Sequence, residues 1–449
     1  MLHCHAGPRR DAGCCIRRAA ATTGVAGRVP RSFLTADLLE ITGWLPPREA
    51  EWTSRLFFAL LVWGVLSAWT PERWPSGILQ AGLLGLAFAW GLRKAWTAER
   101  LRLNWPCWVA AGVAAWGLAQ KALGWTVYWR GTLEGLLYWL TAFAACWLAA
   151  ELACWHQLRS WMRTALGWFA FTLAVASVVF YFGTPGKIFG LFPVSYRAVG
   201  PFLNRDHYAS FIALLLPVVL WDGLIRRRPL WSRALMAGAM YASVIAGASR
   251  AGSLVVTVEI LLLLFLAWDR GHEKVGLIRR AAGWTAFFAV TFVLVVGWDV
   301  LWQRFQEPDP WRGRREMLQA AWTMVRDRPW SGFGLGNWAV VYPAYAVWDP
   351  GLGLYVNHAH NEWAEWAVEG GLPMLAAMLS LGLWAIRRGL RRPWGIGAAA
   401  VLVHSTVDFP LRCLAVAVLF FTVLGMLGRS PHRERAPRLR GPNADPGAR

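Results

Sequence analysis

Two histidines, His358 and His360, open a stretch reading HAHNEWAEWAVEGG over residues 358–371, with Glu362, Glu365 and Glu369 behind them. Imidazole titrates near neutral pH, so either ring can take a proton from a hydroxyl nucleophile. A His-x-His pair with carboxylates can also bind a metal. The HExxH arrangement is absent, however, and a two-residue spacing puts the rings on different faces of a helix. A general base is the stronger reading, with Asn361 and Glu362 beside His360 to orient its ring and Glu365 in support.

Arginines supply a second kind of chemistry. Arg205 and His207 stand in GPFLNRDHYASFIAL, residues 200–214. Arg250 stands in SRAGS, residues 249–253, and Arg314 and Arg315 in WRGRREMLQAAWTMVRDRPWSGFGLGNW, residues 311–338. A guanidinium presents a planar fork of donors suited to phosphate. The competing reading of each is an interfacial anchor whose head reaches lipid headgroups. Gathered around one cavity, these arginines, the histidines and a few carboxylates suit a diphosphate-like anion and a proton transfer.

That gathering depends on the elements that carry them. Apolar residues make up 56% of the 449 and charged residues 16%, well below the roughly 25% of a soluble domain. The chain reads as an all-α, polytopic membrane protein; a soluble enzyme, a disordered chain and a disulfide scaffold are excluded. Twelve apolar stretches are legible, at 56–69, 77–91, 105–119, 133–150, 165–182, 209–221, 234–248, 252–268, 282–301, 372–386, 395–407 and 413–427. With the N-terminus inside, the five inner loops hold 18 Lys and Arg in 60 residues, against 14 in about 124 residues of the outer segments. Positive residues concentrate inside, so twelve spans with both ends cytoplasmic is self-consistent. The expected organisation is a basic tail at 1–52, nine spans within 53–301, a large periplasmic loop at 302–371, three spans within 372–427 and a basic tail at 428–449. The first tail carries Arg9, Arg10, Arg17, Arg18, Arg28 and Arg31 without an apolar core, so it is not read as a secretory signal.

On this topology Arg205, His207, Arg250, Arg314, Arg315, His358 and His360 all face outward. Residues 183–208 and 302–371 are longer than a helix connection needs, which marks them as functional. Within the larger loop, Arg314 to Arg328 reads as a helix with Met317, Ala320, Ala321 and Met324 on one face. Gly332, Gly334 and Gly336 form a tight backbone turn; no Walker lysine follows. The net charge of +20 lies in clusters between apolar runs with no basic stripe, so nucleic acid is not an expected partner. Seven Cys without a CxxC indicate neither a disulfide framework nor a zinc site.

The segments NRDHYASF, SRAG, the run from Arg314 through Asp327-Arg328-Pro329 and GFGLGN to Tyr342-Pro343-Ala344-Tyr345, and HAHNEWAEWAVEGGL appear in one order. Together they resemble the bacterial O-antigen ligase and polymerase superfamily, over roughly residues 200–375. The resemblance implies an inner-membrane glycosyltransferase whose active site faces the periplasm. It implies a donor glycan on undecaprenyl diphosphate and an acceptor hydroxyl on lipid A-core, another glycan or protein. Arg250 matches the family's turn arginine and Arg314 its loop arginine, both gripping the diphosphate with Arg205 beside them. His360 matches the catalytic histidine; His358 is expected to be catalytic beside it, with His207, Arg315, Asn361 and Glu365 supporting. Asp206 and Tyr208 stand where relatives often carry Asn and Phe, and Glu362 where Asp is common. No Asp-x-Asp motif is present, so neither a metal nor a cofactor is expected. A lipid-linked oligosaccharide flippase is the alternative of another class. Glu134 and Asp299 near the outer ends, with only Glu259 deep, and the absence of an internal repeat argue against it.

Overall fold

The computed structural model describes residues 45–194, 198–225, 229–270, 275–309, 311–346 and 355–428. Nearly all of both expected tails lies outside these residues; α1 already begins at Arg48. The described chain is helical apart from one two-stranded hairpin, β1 (Lys187–Ile188) paired antiparallel with β2 (Phe192–Pro193). The helices are α1 (Arg48–Leu66), α2 (Arg73–Trp96), α3 (Trp105–Ala122), α4 (Trp129–Leu152), α5 (His156–Gly183), α6 (Arg205–Ile225), α7 (Leu230–Ala246), α8 (Arg250–Asp269) and α9 (Val275–Val296), followed by α10 (Asp299–Phe305), α11 (Arg312–Asp327), α12 (Trp338–Val341), α13 (Glu362–Arg391), α14 (Gly397–His404) and α15 (Leu414–Leu427).

Most of the apolar stretches fall on one helix each, because only a helix satisfies the backbone of an apolar run from within, but 282–301 runs through a break at Gly297 into α10 and 395–407 outruns the eight residues of α14. By length and composition, seven of the described helices suffice to cross a membrane: α2, α4, α5, α6, α8, α9 and α13. The apolar helices α7 and α15, and the 393–404 segment containing α14, are shorter. The eight residues of α14 rise about 12 Å at 1.5 Å per residue, well under a hydrocarbon core of roughly 30 Å.

Contacts sort the helix ends into two sets. At one end Arg93 pairs with Glu49 at 2.8 Å and Lys94 with the buried Glu151 at 2.7 Å. There too Asn104 donates to the carbonyls of Leu424 and Gly425, and Arg392 to that of Leu427. At the other end Arg73 pairs with Glu134, and Asn337 accepts from the backbone N–H of Tyr128. The first set lies in the loops read as inner, the second in those read as outer. Near the centre, α6 is buried almost all round, and every residue from Tyr208 to Leu216 has under 1% of its surface exposed. A helix apolar on all sides belongs in the middle of a bundle.

The outer loop packs as its pattern requires. Met317, Ala320, Ala321 and Met324 of α11 are buried together with Phe333, Trp338, Tyr342 and Val368. The glycine-rich turn docks by backbone: the N–H groups of Phe333 and Gly334 donate to the carbonyls of Val368 and Glu369. Gly334 has φ +103, and a Cβ there would stand 2.2 Å from Thr126 Oγ1.

The start of α13 departs from the expected external loop. At Gly371 (φ 70, ψ −172) the helix breaks in a region open only to glycine. The arm before the break folds back along the arm after it. Trp363 donates its indole N–H to Leu402 O, and its ring edge lies 3.3 Å from where a Cβ on Gly382 would be. The HAHN segment therefore turns in toward the bundle. Gly371→Ala puts a methyl 2.5 Å from Trp330 O in addition to the backbone strain, which alone costs about 1–3 kcal/mol. The expected result is a clear fall in the thermal unfolding midpoint in detergent; an unchanged midpoint contradicts the reversal. Single cysteines at the exposed Glu72 and Gln319 should label from the periplasm, and at Thr97 and Arg391 from the cytoplasm. Labelling of position 319 from the cytoplasm overturns the outward placement.

Candidate functional site

The two histidines stand on an irregular segment before α13, not on a helix, so their two-residue spacing does not put them on opposite faces. His360 has φ +51, a left-handed conformation uncommon outside glycine, just before Asn361 caps α13. The Asn361 side chain accepts from Ala364 N at 2.9 Å and donates to Thr406 O at 2.8 Å. Glu362 accepts from Ser405 Oγ at 2.6 Å. Both are thus committed to building the helix start; the expectation that they orient His360 is corrected.

The orienting carboxylate is Asp408, in the turn after α14. Its Oδ1 lies 3.2 Å from His360 Nδ1, and its Oδ2 lies 3.9 Å from His207 Nε2. An ionised carboxylate only accepts, so Nδ1 of His360 carries the proton and Nε2 presents a lone pair. Burial opposes ionisation of Asp408, but the hydrogen bond from His360 and the neighbouring imidazoles His207 and His404 hold its pKa below the ordinary aspartate value. His358 has the same arrangement one step away, with Nδ1 3.0 Å from Glu365 Oε1. Glu365 is ion-paired to Arg412 at 3.3 Å, and Arg412 also donates to both oxygens of Glu369 at 3.0 and 3.3 Å. Phe409 fills the space between the imidazoles. His358 stacks on it at 4.2 Å, and His207 and His360 meet it edge-on at 4.9 and 4.8 Å.

Beside Asp408 opens a cavity of about 280 Å³, lined by Asp206, Arg250, Arg304, Arg314, His404 and Asp408 among others. Each lining charge has a local reason for its position. Arg205 and Asp206 start α6, where Asn204 caps the Asp206 N–H at 2.8 Å. Arg250 starts α8 behind Ser249, whose hydroxyl caps Gly252 N and donates to Asp206 at 2.5 Å. Arg314 lies on the first turn of α11, its guanidinium 5.3 Å from the centre of the Trp311 ring. His404 ends α14, sharing a 2.7 Å hydrogen bond with Ser210 Oγ. The buried atoms His207 Nε2, His404 Nε2 and Asp408 Oδ2 have no hydrogen-bond partner among the described residues. Such a cluster marks a place built for polar contact.

Most of the residues singled out in the sequence therefore converge: Arg250 and Arg314 on the cavity, Arg205 and His207 at its edge, His358, His360 and Glu365 alongside. Arg315 does not. One position further round α11, it points outward and pairs with Asp309 at 2.6 Å, with 68% of its side chain exposed. Sequence reasoning missed Arg304, His404, Asp408, Phe409 and Arg412. Arg412 carried a signal, since it is an external arginine by the same charge rule that selected Arg250. Among the described residues no group of three or more His, Cys, Asp and Glu is close enough to hold a metal ion.

Asp408→Asn is expected to lower turnover by roughly 100-fold, the scale of a lost base, because the amide no longer fixes the imidazole tautomer. Asn361→Ala is expected to destabilise the protein by about 1 kcal/mol through the lost cap. Because the folded-state pKa of Asp408 is depressed, its stabilising contribution is present above the ordinary aspartate range and fades only as pH falls through the lowered value. In Asp408→Asn, the dependence of unfolding midpoint on pH below about 4 should flatten; an unaltered profile and wild-type turnover contradict the assignment.

Residues 205–379 match the family model for O-antigen ligase. The matched interval runs from the first residue of α6 into α13 and includes Arg250, Arg304, Arg314, His358 and His360, while Asp408 and Arg412 lie beyond it. No curated protein matches the chain. Over that interval the chain is similar to the O-antigen ligase family, which supports the resemblance read from its motifs.

Proposed function

We propose that the protein transfers a glycan from undecaprenyl diphosphate to an acceptor hydroxyl on the periplasmic face of a bacterial inner membrane, with twelve crossings and both tails cytoplasmic. The observation that carries the reading is one cavity with Arg250 and Arg314 on its wall and the Asp408–His360 pair at its edge. In the reaction the bond from the anomeric carbon to the diphosphate oxygen breaks, and a bond from that carbon to the acceptor oxygen forms. Charge grows on the leaving diphosphate, where preorganised guanidinium groups stabilise it in a site poor in water. The acceptor proton passes to Nε2 of His360, and the resulting imidazolium is held by Asp408. His358, tied through Glu365 to Arg412, is held as a second imidazole stacked on Phe409. Neutralisation by arginine lets the step proceed without a metal. The single large outer loop ending in HAHN favours a ligase acting on lipid A-core. A polymerase using a second lipid-linked repeat, or a transferase to protein hydroxyls, shares the same chemistry.

The test is transfer in vitro from a lipid-diphosphate glycan to a hydroxyl acceptor. Arg250→Ala and Arg314→Ala should abolish transfer while the protein still inserts, and lysine at either position should rescue only in part, since an ammonium forms no bidentate fork. His360→Ala should lower turnover by roughly 100-fold or more with donor binding retained, and His358→Ala should cost less. EDTA should leave the wild type unaffected. Lipid translocation in vesicles without a new glycosidic bond points instead to a flippase; a dead His358→Ala beside an active His360→Ala reverses the two rings.

A further inference from the structure

Arg304 sits near the end of α10, a seven-residue helix that no motif marked. It lines the same cavity as Arg250 and Arg314. Its Nε and Nη1 atoms are buried without a hydrogen-bond partner among the described residues, and Nε lies 3.8 Å from Glu307 Oε1. Burial, and then the charges on Arg205 and Arg250, push its pKa below the ordinary arginine value. Four guanidinium groups thus crowd one end of the cavity, and the carboxylates there are mostly engaged: Asp206 accepts from Ser249, and Asp408 from His360. The most exposed of them is Glu307, whose Oε2 pairs with Arg250 Nη1 at 2.9 Å. The same Nη1 donates to Arg304 O at 2.8 Å, which fastens the end of α10 to the start of α8.

We propose that Arg304 is a further arginine of the diphosphate grip, and that Glu307 is an internal anion holding the Arg250 fork until the donor displaces it. The proposal rests on the transferase reading for the identity of the anion. A partly exposed ion pair contributes little. A diphosphate carries more charge and accepts from several forks at once, so it outcompetes one carboxylate and satisfies the free donors of Arg304.

The experiment measures binding of undecaprenyl diphosphate and of uncharged undecaprenol to the full chain in detergent. Wild type should prefer the diphosphate lipid. Arg304→Gln should weaken diphosphate binding about tenfold or more, a loss of roughly 1.4 kcal/mol, with undecaprenol binding unchanged. Glu307→Gln should act in the opposite direction and tighten diphosphate binding several-fold. If Arg304→Gln does not fold, the sign of the Glu307→Gln effect decides alone. A wild type with no preference for the diphosphate lipid sinks the transferase reading itself. A preference that Arg250→Ala removes but Arg304→Gln leaves intact, or weaker binding by Glu307→Gln, overturns the present proposal only.

Discussion

The ion pairing of Arg412 with Glu365 and Glu369 is the constraint on which the rest of the site depends. Burial alone disfavours a charged guanidinium, yet Glu365, Glu369 and Glu362 outweigh it and hold Arg412 protonated, above its ordinary range. Buried charges persist only when paired, and removing one partner of such a group costs about 3–5 kcal/mol. The pairing joins the connection between α14 and α15 to the arm of α13 that doubles back at Gly371. Once joined, Phe409 must stand among three imidazoles and Asp408 must meet His360. The order of the segment Asp408-Phe409-Pro410-Leu411-Arg412 therefore sets hydrogen bond, ring contact and anchor in five residues.

The same residue type appears in two electrostatic states, and the contrast separates structure from chemistry. Arg412 is compensated by the buried carboxylates Glu365 and Glu369 at 3.3 and 3.0 Å. The cavity arginines are not: Arg304 has donors without acceptors, and Arg250 leans on a half-exposed glutamate. A cluster of like charges opposes itself, so folding places it there only against the loss in stability that this repulsion brings. An anionic ligand removes that repulsion, and binding is then favoured by what folding left unsatisfied.

Much of this was legible in the chain. The apolar stretches were long enough to read as helices, and the Met317, Ala320, Ala321, Met324 face followed from the helical period alone. The glycine-rich turn, Arg250, Arg314 and the histidine pair stood out because their surroundings are locally distinctive. What stayed hidden depends on long-range packing. Asp408 and Arg412 act on residues more than forty positions earlier, from a connection that looked like a short turn. Asn361 beside His360 suggested a partner by adjacency, but its side chain is bound to the backbone it caps. Arg315 neighbours Arg314 in sequence and points elsewhere, because one residue turns a helix by about 100°. The reversal at Gly371 had no signal beyond a Gly-Gly-Leu-Pro sequence that also fits the start of a span.

Two groups that act as one unit lose their effect once, whichever is removed. The most direct measurement is a double-mutant cycle on single-turnover transfer, comparing Asp408→Asn, His360→Ala and the pair together. If Asp408 acts through the imidazole it orients, the double variant is no slower than His360→Ala alone. Losses that multiply in the double variant mean that the two side chains act independently, and contradict the account.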